Sequence, residues 1–253
     1  MNEVFSPAHA HLGEIVREAV ARFDLTGRKL GSGKRNQVKH LPYRGQELNI
    51  KSFRIPNFLN RLVYRFVRKS KARRSFEHAL YLRSKGIGTP APIAYFEDAG
   101  GCMLGRTYYV SEHLSQDLSF RTLIEQPDYP GRDEILRQFT RFTHRLHEEG
   151  VLFKDHSPGN TLIKKSGEQT YDFFLVDLNR MRIDAALDFE DRMRNFARLS
   201  ATPGMLRTMS AEYAHITGKE EAMVYGRMQH YTLANKRRRD RQKLINKKLG
   251  KYS

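Results

Sequence analysis

Tryptophan is absent and cysteine occurs once, at Cys102. A single thiol excludes an intramolecular disulfide and a cysteine-built metal cluster, and it agrees with a reducing cytoplasm. Without tryptophan, stacking on a nucleotide or base falls to Tyr, Phe or Arg. Long apolar runs are also missing. No stretch approaches the ~20 residues that a spanning helix needs, so no membrane crossing is expected. The leading segment, MNEVFSPAHAHLGEIVREAV, carries charges throughout and holds no continuous apolar core, which argues against a secretory signal. No internal repeat or low-complexity tract is present. Acidic residues are the remaining shortage: 28 Asp and Glu face 45 Lys and Arg, a formal net charge of +17. That excess calls for an acidic partner, whether nucleic acid, an anionic membrane face or a phosphorylated substrate. Charge alone does not choose among them.

The apolar fraction of 39% suffices for a core, and 253 residues admit one large domain or two modest lobes around a cleft. Apolar positions recur with a helical period over residues 9–23. A glycine turn follows, Lys29-Leu30-Gly31-Ser32-Gly33-Lys34, between strand-like runs, and Glu47 to Lys51 reads as a further strand. Residues 57–74, NFLNRLVYRFVRKSKARR, form a basic amphipathic helix with Phe58, Leu62 and Phe66 on one face and Arg61, Arg65 and Arg68 on another. Two readings stay open for it: an ordinary helix packed on its own lobe, or one lying on an anionic membrane surface. A second helix begins at Ser75 and ends at the Ser84-Lys85-Gly86 breaker. Strands follow at Ile93 to Phe96 and Thr107 to Glu112. Arg132 to Glu149 is the clearest helix, with Gly150 placed as its C-terminal cap. Thr161 to Lys164 and Tyr171 to Asp177 make a hairpin, and beyond Asp184 the pattern is helical. This order implies an α+β, two-lobed arrangement.

Two stretches carry the chemistry. LHEEGVLFKDHSPGN, Leu146 to Asn160, joins a helix end to a turn that presents Asp155 and Asn160, and FLVDLNR, Phe174 to Arg180, delivers Asp177 from an apolar strand. Phosphoryl transfer needs the phosphates held, their charge neutralised by metal and lysine, and a carboxylate to orient the attacking hydroxyl. Each requirement has a candidate, in chain order. Gly31 and Gly33 let backbone amides approach phosphates. The turn is G-x-G-x-x-N, with Asn36 at the third glycine position, and it is no Walker A loop. Short glycine turns also serve ordinary hairpins. Lys51 ends the strand Leu-Asn-Ile-Lys, comparable with V-A-I-K, and would contact the α and β phosphates; Glu77 would pair with it. Asp155 would act as general base. Asn160 and Asp177 offer hard oxygens for Mg2+. Glu112 and His113 fall where backbone groups would bind adenine. Arg180 reads equally as an acceptor contact or a surface salt bridge. His9, His11, His144 and His147 form no ligand cluster, and His147 is expected to pack beneath the catalytic loop.

On these residues the chain resembles the kinase-like superfamily from about Lys29 to Leu199. Within it, the chain resembles the lipopolysaccharide core kinases (Kdo kinase and heptose kinase). The narrower resemblance rests on the bare Asp-x-x-x-x-Asn loop, on V-D-L-N-R in place of D-F-G, and on Arg194-Asn195-Phe196-Ala197-Arg198-Leu199. His156-Ser157-Pro158-Gly159-Asn160 is also similar to the H-P-G-N loop of aminoglycoside phosphotransferases. Phe153 and Lys154 replace the His and Arg of H-R-D, Leu178 and Asn179 replace Phe and Gly of D-F-G, and no A-P-E follows. Lys154 lacks the forked grip on phosphate that arginine has, so control by a phosphorylated activation loop is not expected.

The resemblance implies a protein-kinase-like fold, with a small β-rich N-lobe over residues 1–113 and a mostly helical C-lobe over 114–253. It also implies ATP and Mg2+ as cofactors and a lipid-linked sugar acceptor in the lipopolysaccharide core. With the net charge, it points to a cytoplasmic protein peripheral to the inner face of the cell membrane, drawn there by the 57–74 helix and the Lys236 to Lys251 tail. Two alternatives remain open: a kinase of a protein or soluble small molecule, and a basic nucleic-acid-binding protein on a kinase-like scaffold.

Overall fold

The computed structural model describes residues 1–30, 36–53, 69–98, 105–184 and 186–248. They fall into two units, Met1–Ser115 with Asp177–Arg180, and Gln116–Val176 with Met181–Ser253. The Asp177–Arg180 stretch thus groups with the first unit rather than with the half that precedes it in sequence.

The first unit opens with β1 (Asn2–Phe5), a 3-10 turn (Pro7–Leu12) and α1 (Gly13–Ala21). The helix expected over 9–23 is therefore α-helical only from Gly13 on. Val16, Ala19, Val20 and the following Phe23 are its buried face. Next come β2 (Arg28–Leu30), β3 (Asn36–Tyr43), β4 (Gln46–Phe53), α2 (Lys71–Ser84), β5 (Pro92–Glu97) and β6 (Thr107–Glu112). The strands form one antiparallel sheet in the order β1-β5-β6-β4-β3-β2. Arg44 and Gly45, both at positive φ (47° and 76°), close the β3–β4 hairpin in the two-residue turn that suits strand twist. In β4, Leu48 and Ile50 face the core formed with Val16, Val20 and Val110. Alternation then puts Lys51 on the opposite face.

Helix α2 starts at Lys71, four residues before the expected Ser75, because Ser70 caps it: its Oγ accepts the Arg73 N–H at 3.0 Å. Its Ala72 and Phe76 pack on Phe53 and Tyr95. Residues 57–68 of the expected basic helix lie outside the described residues, as does Cys102.

The second unit comprises β7 (Leu118–Ser119), α3 (Phe120–Glu125), α4 (Arg132–Glu148), β8 (Leu152–Phe153), β9 (Thr161–Lys165), β10 (Tyr171–Leu175) and β11 (Met181–Arg182). α5 (Phe189–Asn195), a 3-10 turn (Phe196–Leu199), α6 (Pro203–Thr217) and α7 (Glu221–Lys248) complete it. β9 and β10 pair as the expected hairpin, with β7 added at its edge, and β8 pairs with β11. The stripe Ile135, Leu136 and Phe139 of α4 enters one core with Met193, Phe196, Met205 and Tyr213. β10 stops at Leu175, so Asp177 stands past the strand end rather than within it.

Candidate active site

In the second unit, α4 delivers the Asp155 loop through its own terminus. Gly150 adopts φ +66°. The Val151 N–H reaches back to the Leu146 carbonyl at 2.9 Å and the Gly150 N–H to that of His147 at 3.1 Å, a Schellman stop. Leu146 and Val151 are fully buried. The chain then runs through β8 into a tight loop. Asn160 closes it: its Nδ2 donates to the Asp155 carbonyl at 2.8 Å, and its own carbonyl accepts the Val176 N–H at 3.0 Å. A carbonyl partner fixes the amide orientation, so Oδ1 is the end of Asn160 left to accept.

Asp155 is held from outside the loop. Arg198, in the 3-10 turn after α5, donates from Nη1 to Asp155 Oδ1 at 2.9 Å and to the Lys154 carbonyl at 3.1 Å. Sequence reasoning gave Arg198 no role. The only signal was its place in the Arg194–Leu199 stretch, 43 residues downstream.

Beneath the loop lie two buried histidines. His156 is fully buried against Phe139, Phe153 and Phe196, with ring centroids 5.3, 5.8 and 6.4 Å away. Among the described residues neither of its ring nitrogens has a hydrogen-bond partner; Asn195 lies near enough to oppose the effect of burial but not in bonding geometry. Burial pushes the His156 imidazole down to about 4. His147 packs beneath the loop as expected, between the Tyr213 hydroxyl at 3.1 Å and Asn195 Oδ1 at 3.2 Å. Burial pushes it down to about 3. Asn195 in turn donates to the Phe153 carbonyl at 2.8 Å, so the start of the loop is tied to α5 and, through His147, to α4.

In the first unit, Lys51 Nζ donates to Asp177 Oδ1 at 2.5 Å, and the lysine side chain is 11% exposed. Asn179 Nδ2 donates to the same oxygen at 2.5 Å. His78 on α2 donates from Nδ1 to the Leu178 carbonyl at 2.6 Å, pinning the turn. Asp177 sits at φ +61°, a conformation that costs a non-glycine residue energy unless its surroundings impose it. The expected Lys51–Glu77 pair is corrected here. Glu77 binds Lys69 at 2.8 Å and Arg73, one helical turn earlier, at 2.9 Å. Burial pushes its carboxyl up, yet Lys69 and Arg73 outweigh burial and hold it below the usual range. Two nearby cations occupy Glu77, while Lys51 takes the acid that the VDLNR turn supplies.

The expected adenine contact at Glu112 and His113 cannot use their backbone donors. Their backbone N–H groups are taken within the sheet, by the carbonyls of Ala91 at 2.9 Å and Glu47 at 2.7 Å. Neither is a donor for adenine. The Glu112 side chain binds His9 at 3.1 Å, and His113 stacks on His40 at a centroid distance of 3.7 Å. Gly31 and Gly33 lie outside the described residues.

Among the described residues no group of three or more His, Cys, Asp or Glu gathers to hold a metal. Magnesium does not require one, since it keeps several waters and takes one or two protein oxygens with substrate phosphates. The donor chemistry of Asn160 and Asp177 fits that need.

The chain matches the family model described as lipopolysaccharide kinase (Kdo/WaaP) over residues 11–217. None of the curated proteins matches it by sequence. Among solved structures it is similar to one described as WaaP in complex with acyl carrier protein. The TM-score is 0.63 at 16% identity, covering 93% of this chain and 99% of that one. No helix among the described residues is long and apolar enough to cross a membrane. With four-fifths of its length inside the family model, the chain belongs to the lipopolysaccharide kinase (Kdo/WaaP) family and is a phosphotransferase acting on lipopolysaccharide core sugar.

Proposed function

We propose that this kinase moves the γ-phosphoryl group of ATP to a sugar hydroxyl of the lipopolysaccharide inner core, with Asp155 as general base. The observation that carries the reading is the Asp155 loop, whose carboxylate is gripped by Arg198 and whose backbone is closed by the Asn160 amide. Asp155 takes the acceptor proton as the hydroxyl oxygen bonds to the γ-phosphorus. The bond from phosphorus to the β,γ-bridging oxygen breaks, and ADP departs. Arg198 fixes one Asp155 oxygen and so sets the direction of the other.

Lys51 is the phosphate-binding cation. Its bond to Asp177 keeps two charges in register before nucleotide arrives, and Asn179 and His78 hold that acid in its strained turn. Asn160 and Asp177 are the residues that would hold magnesium, which would neutralise charge on the transferred phosphoryl group. Gly31 and Gly33 are the proposed backbone cradle. Glu77 supports the lobe through Lys69 and Arg73 rather than touching Lys51.

The kinase works at the inner face of the membrane. Residues 236–248 of α7 hold Asp240 as their only acid, and their basic side chains are exposed. Juxtamembrane clusters of this kind attract anionic lipid by roughly 1 kcal/mol per basic residue.

The test is acceptor preference. Core-truncated lipopolysaccharide should gain phosphate in the presence of ATP and magnesium, whereas a protein substrate or free monosaccharide should not. Equal transfer to soluble acceptors, or loss of transfer on adding nucleic acid, would contradict the assignment.

A further inference from the structure

In the second unit a cavity of about 350 Å³ opens beside the catalytic loop, a size within the range of small-ligand pockets. Lys154 from the loop, Arg194 and Arg198 from the α5 turn, and Arg238 from α7 line it together with Tyr231. Among the described residues Asp191 is the one acid in the wall. It is already engaged, by Arg194 at 3.1 Å and Arg182 at 3.4 Å. The side chains of Lys154 and Arg238 make no hydrogen bond or ion pair among the described residues. Arg194 is aimed by its surroundings. Its Nη2 donates to the Tyr231 hydroxyl at 3.1 Å, its guanidinium lies 4.9 Å from that ring centroid, and the hydroxyl donates to Glu190 at 2.5 Å.

Lys154, Arg194, Arg198 and Arg238 bring four positive charges to one concave wall; Asp191 and Asp155 offset two of them, and the remaining excess of positive charge draws an anion. A neutral sugar would need no such wall. Arginine forks suit carboxylate and phosphate oxygens in paired hydrogen bonds. The wall also adjoins Asp155, since Lys154 precedes it in the chain and Arg198 holds its carboxylate.

We infer that this cavity is the acceptor subsite and that it recognises the glycolipid through an anionic group, carboxylate or phosphate, borne on or next to the sugar that is phosphorylated. The inference rests on the kinase reading above and adds the chemistry that selects the acceptor. Arg194 and Arg238 grip the anion, and Lys154 balances its charge.

The test is steady-state transfer by wild type, Arg238→Gln, Arg194→Gln and, as a charge-loss control elsewhere in the unit, Lys164→Gln. Three acceptors are compared: core-truncated lipopolysaccharide, the same material dephosphorylated, and the same material with its carboxyl groups reduced to alcohols. Loss of a charge-assisted hydrogen bond should raise the acceptor KM of both pocket variants about 10-fold or more. The KM for ATP should not move, kcat should stay within about 3-fold, and Lys164→Gln should match wild type. Wild type should show the same loss on whichever stripped acceptor lacks the recognised anion, and the pocket variants should lose nothing further there. That arm separates phosphate from carboxylate.

An unchanged acceptor KM, a penalty that adds to that of anion removal, or a shift in the KM for ATP instead would each overturn the inference while leaving the kinase intact. Absence of transfer by wild type to every acceptor would sink the kinase assignment and the subsite with it. Arg194→Gln also removes the Tyr231 contact. If its melting temperature falls, the exposed Arg238→Gln carries the comparison alone.

Discussion

Arg198 and Asp155 show how far a residue's chemistry depends on a partner distant in sequence. A carboxylate in a Ser-Pro-Gly turn would sample several rotamers; the guanidinium that bonds both its Oδ1 and the preceding carbonyl removes most of that freedom. We expect Arg198→Ala to lower kcat by about 10- to 100-fold with the KM for ATP unchanged, since only the proposed base is misplaced. Arg198→Lys should recover a small part of it, because lysine cannot make both bonds from a planar fork. Initial rates at saturating ATP check both. The spacing of Asp155, Asn160 and Asp177 was legible in the sequence because it is written along one local stretch. Arg198 was not, and neither was the partner of Glu77. Lys51 and Glu77 are in the expected order, but Lys69 and Arg73 outcompete Lys51 for the acid through proximity on and beside one helix. Sequence order is silent on that competition.

Elements are held in register by their ends. Ser70 starts α2, which carries His78 to the Asp177 turn; Gly150 stops α4 and releases the chain into the Asp155 loop. Replacing Ser70 by alanine should cost about 1 kcal/mol by leaving helix-end amides without a partner. Gly150→Ala should cost about 1–2 kcal/mol, since a side chain disfavours φ +66°. Urea unfolding of each variant measures these losses. The Gly150 stop and the β9–β10 hairpin were legible because glycine and alternating apolar residues mark them directly. The short strands β7, β8 and β11 were not: two-residue strands carry no periodicity, and only tertiary pairing defines them. Likewise the loss of Glu112 and His113 as adenine donors follows from cross-strand register, which no single strand encodes.

For the whole molecule, pH and charge decide behaviour. His147 and His156 stay neutral in the fold, held down to about 3 and about 4, whereas in the unfolded chain they titrate near the ordinary 6.5. Below that value the unfolded state binds the extra protons, so the stability they contribute is complete above pH 6.5 and drains as pH falls toward the folded values. By pH 5 the two together should remove roughly 4 kcal/mol, at 1.36 kcal/mol per unit for each. Denaturant titrations at pH 7 and pH 5 would show it, and His156→Phe should shrink the difference by about half. The proposed attraction of the tail to anionic lipid acts at longer range. Lys243, Lys247 and Lys248 changed together to glutamine should weaken sedimentation with anionic vesicles, and about 0.5 M salt should weaken it in wild type too. Neutral vesicles should recruit neither. The two-lobed α+β organisation and the family's chemistry were legible in the order of strands, helices and acids; the clustering of four cations around one cavity was not, because its members come from three separate stretches.

Asp155 is the proposed base for phosphoryl transfer to lipopolysaccharide core sugar. The most direct test of that role is transfer of labelled γ-phosphate from ATP into purified core-truncated lipopolysaccharide by wild type and by Asp155→Asn, with nucleotide binding measured in parallel. We expect label in the sugar with wild type, a drop of about 10²- to 10⁴-fold with Asp155→Asn, and equal ATP affinity in both. Comparable labelling by the two proteins would contradict the account.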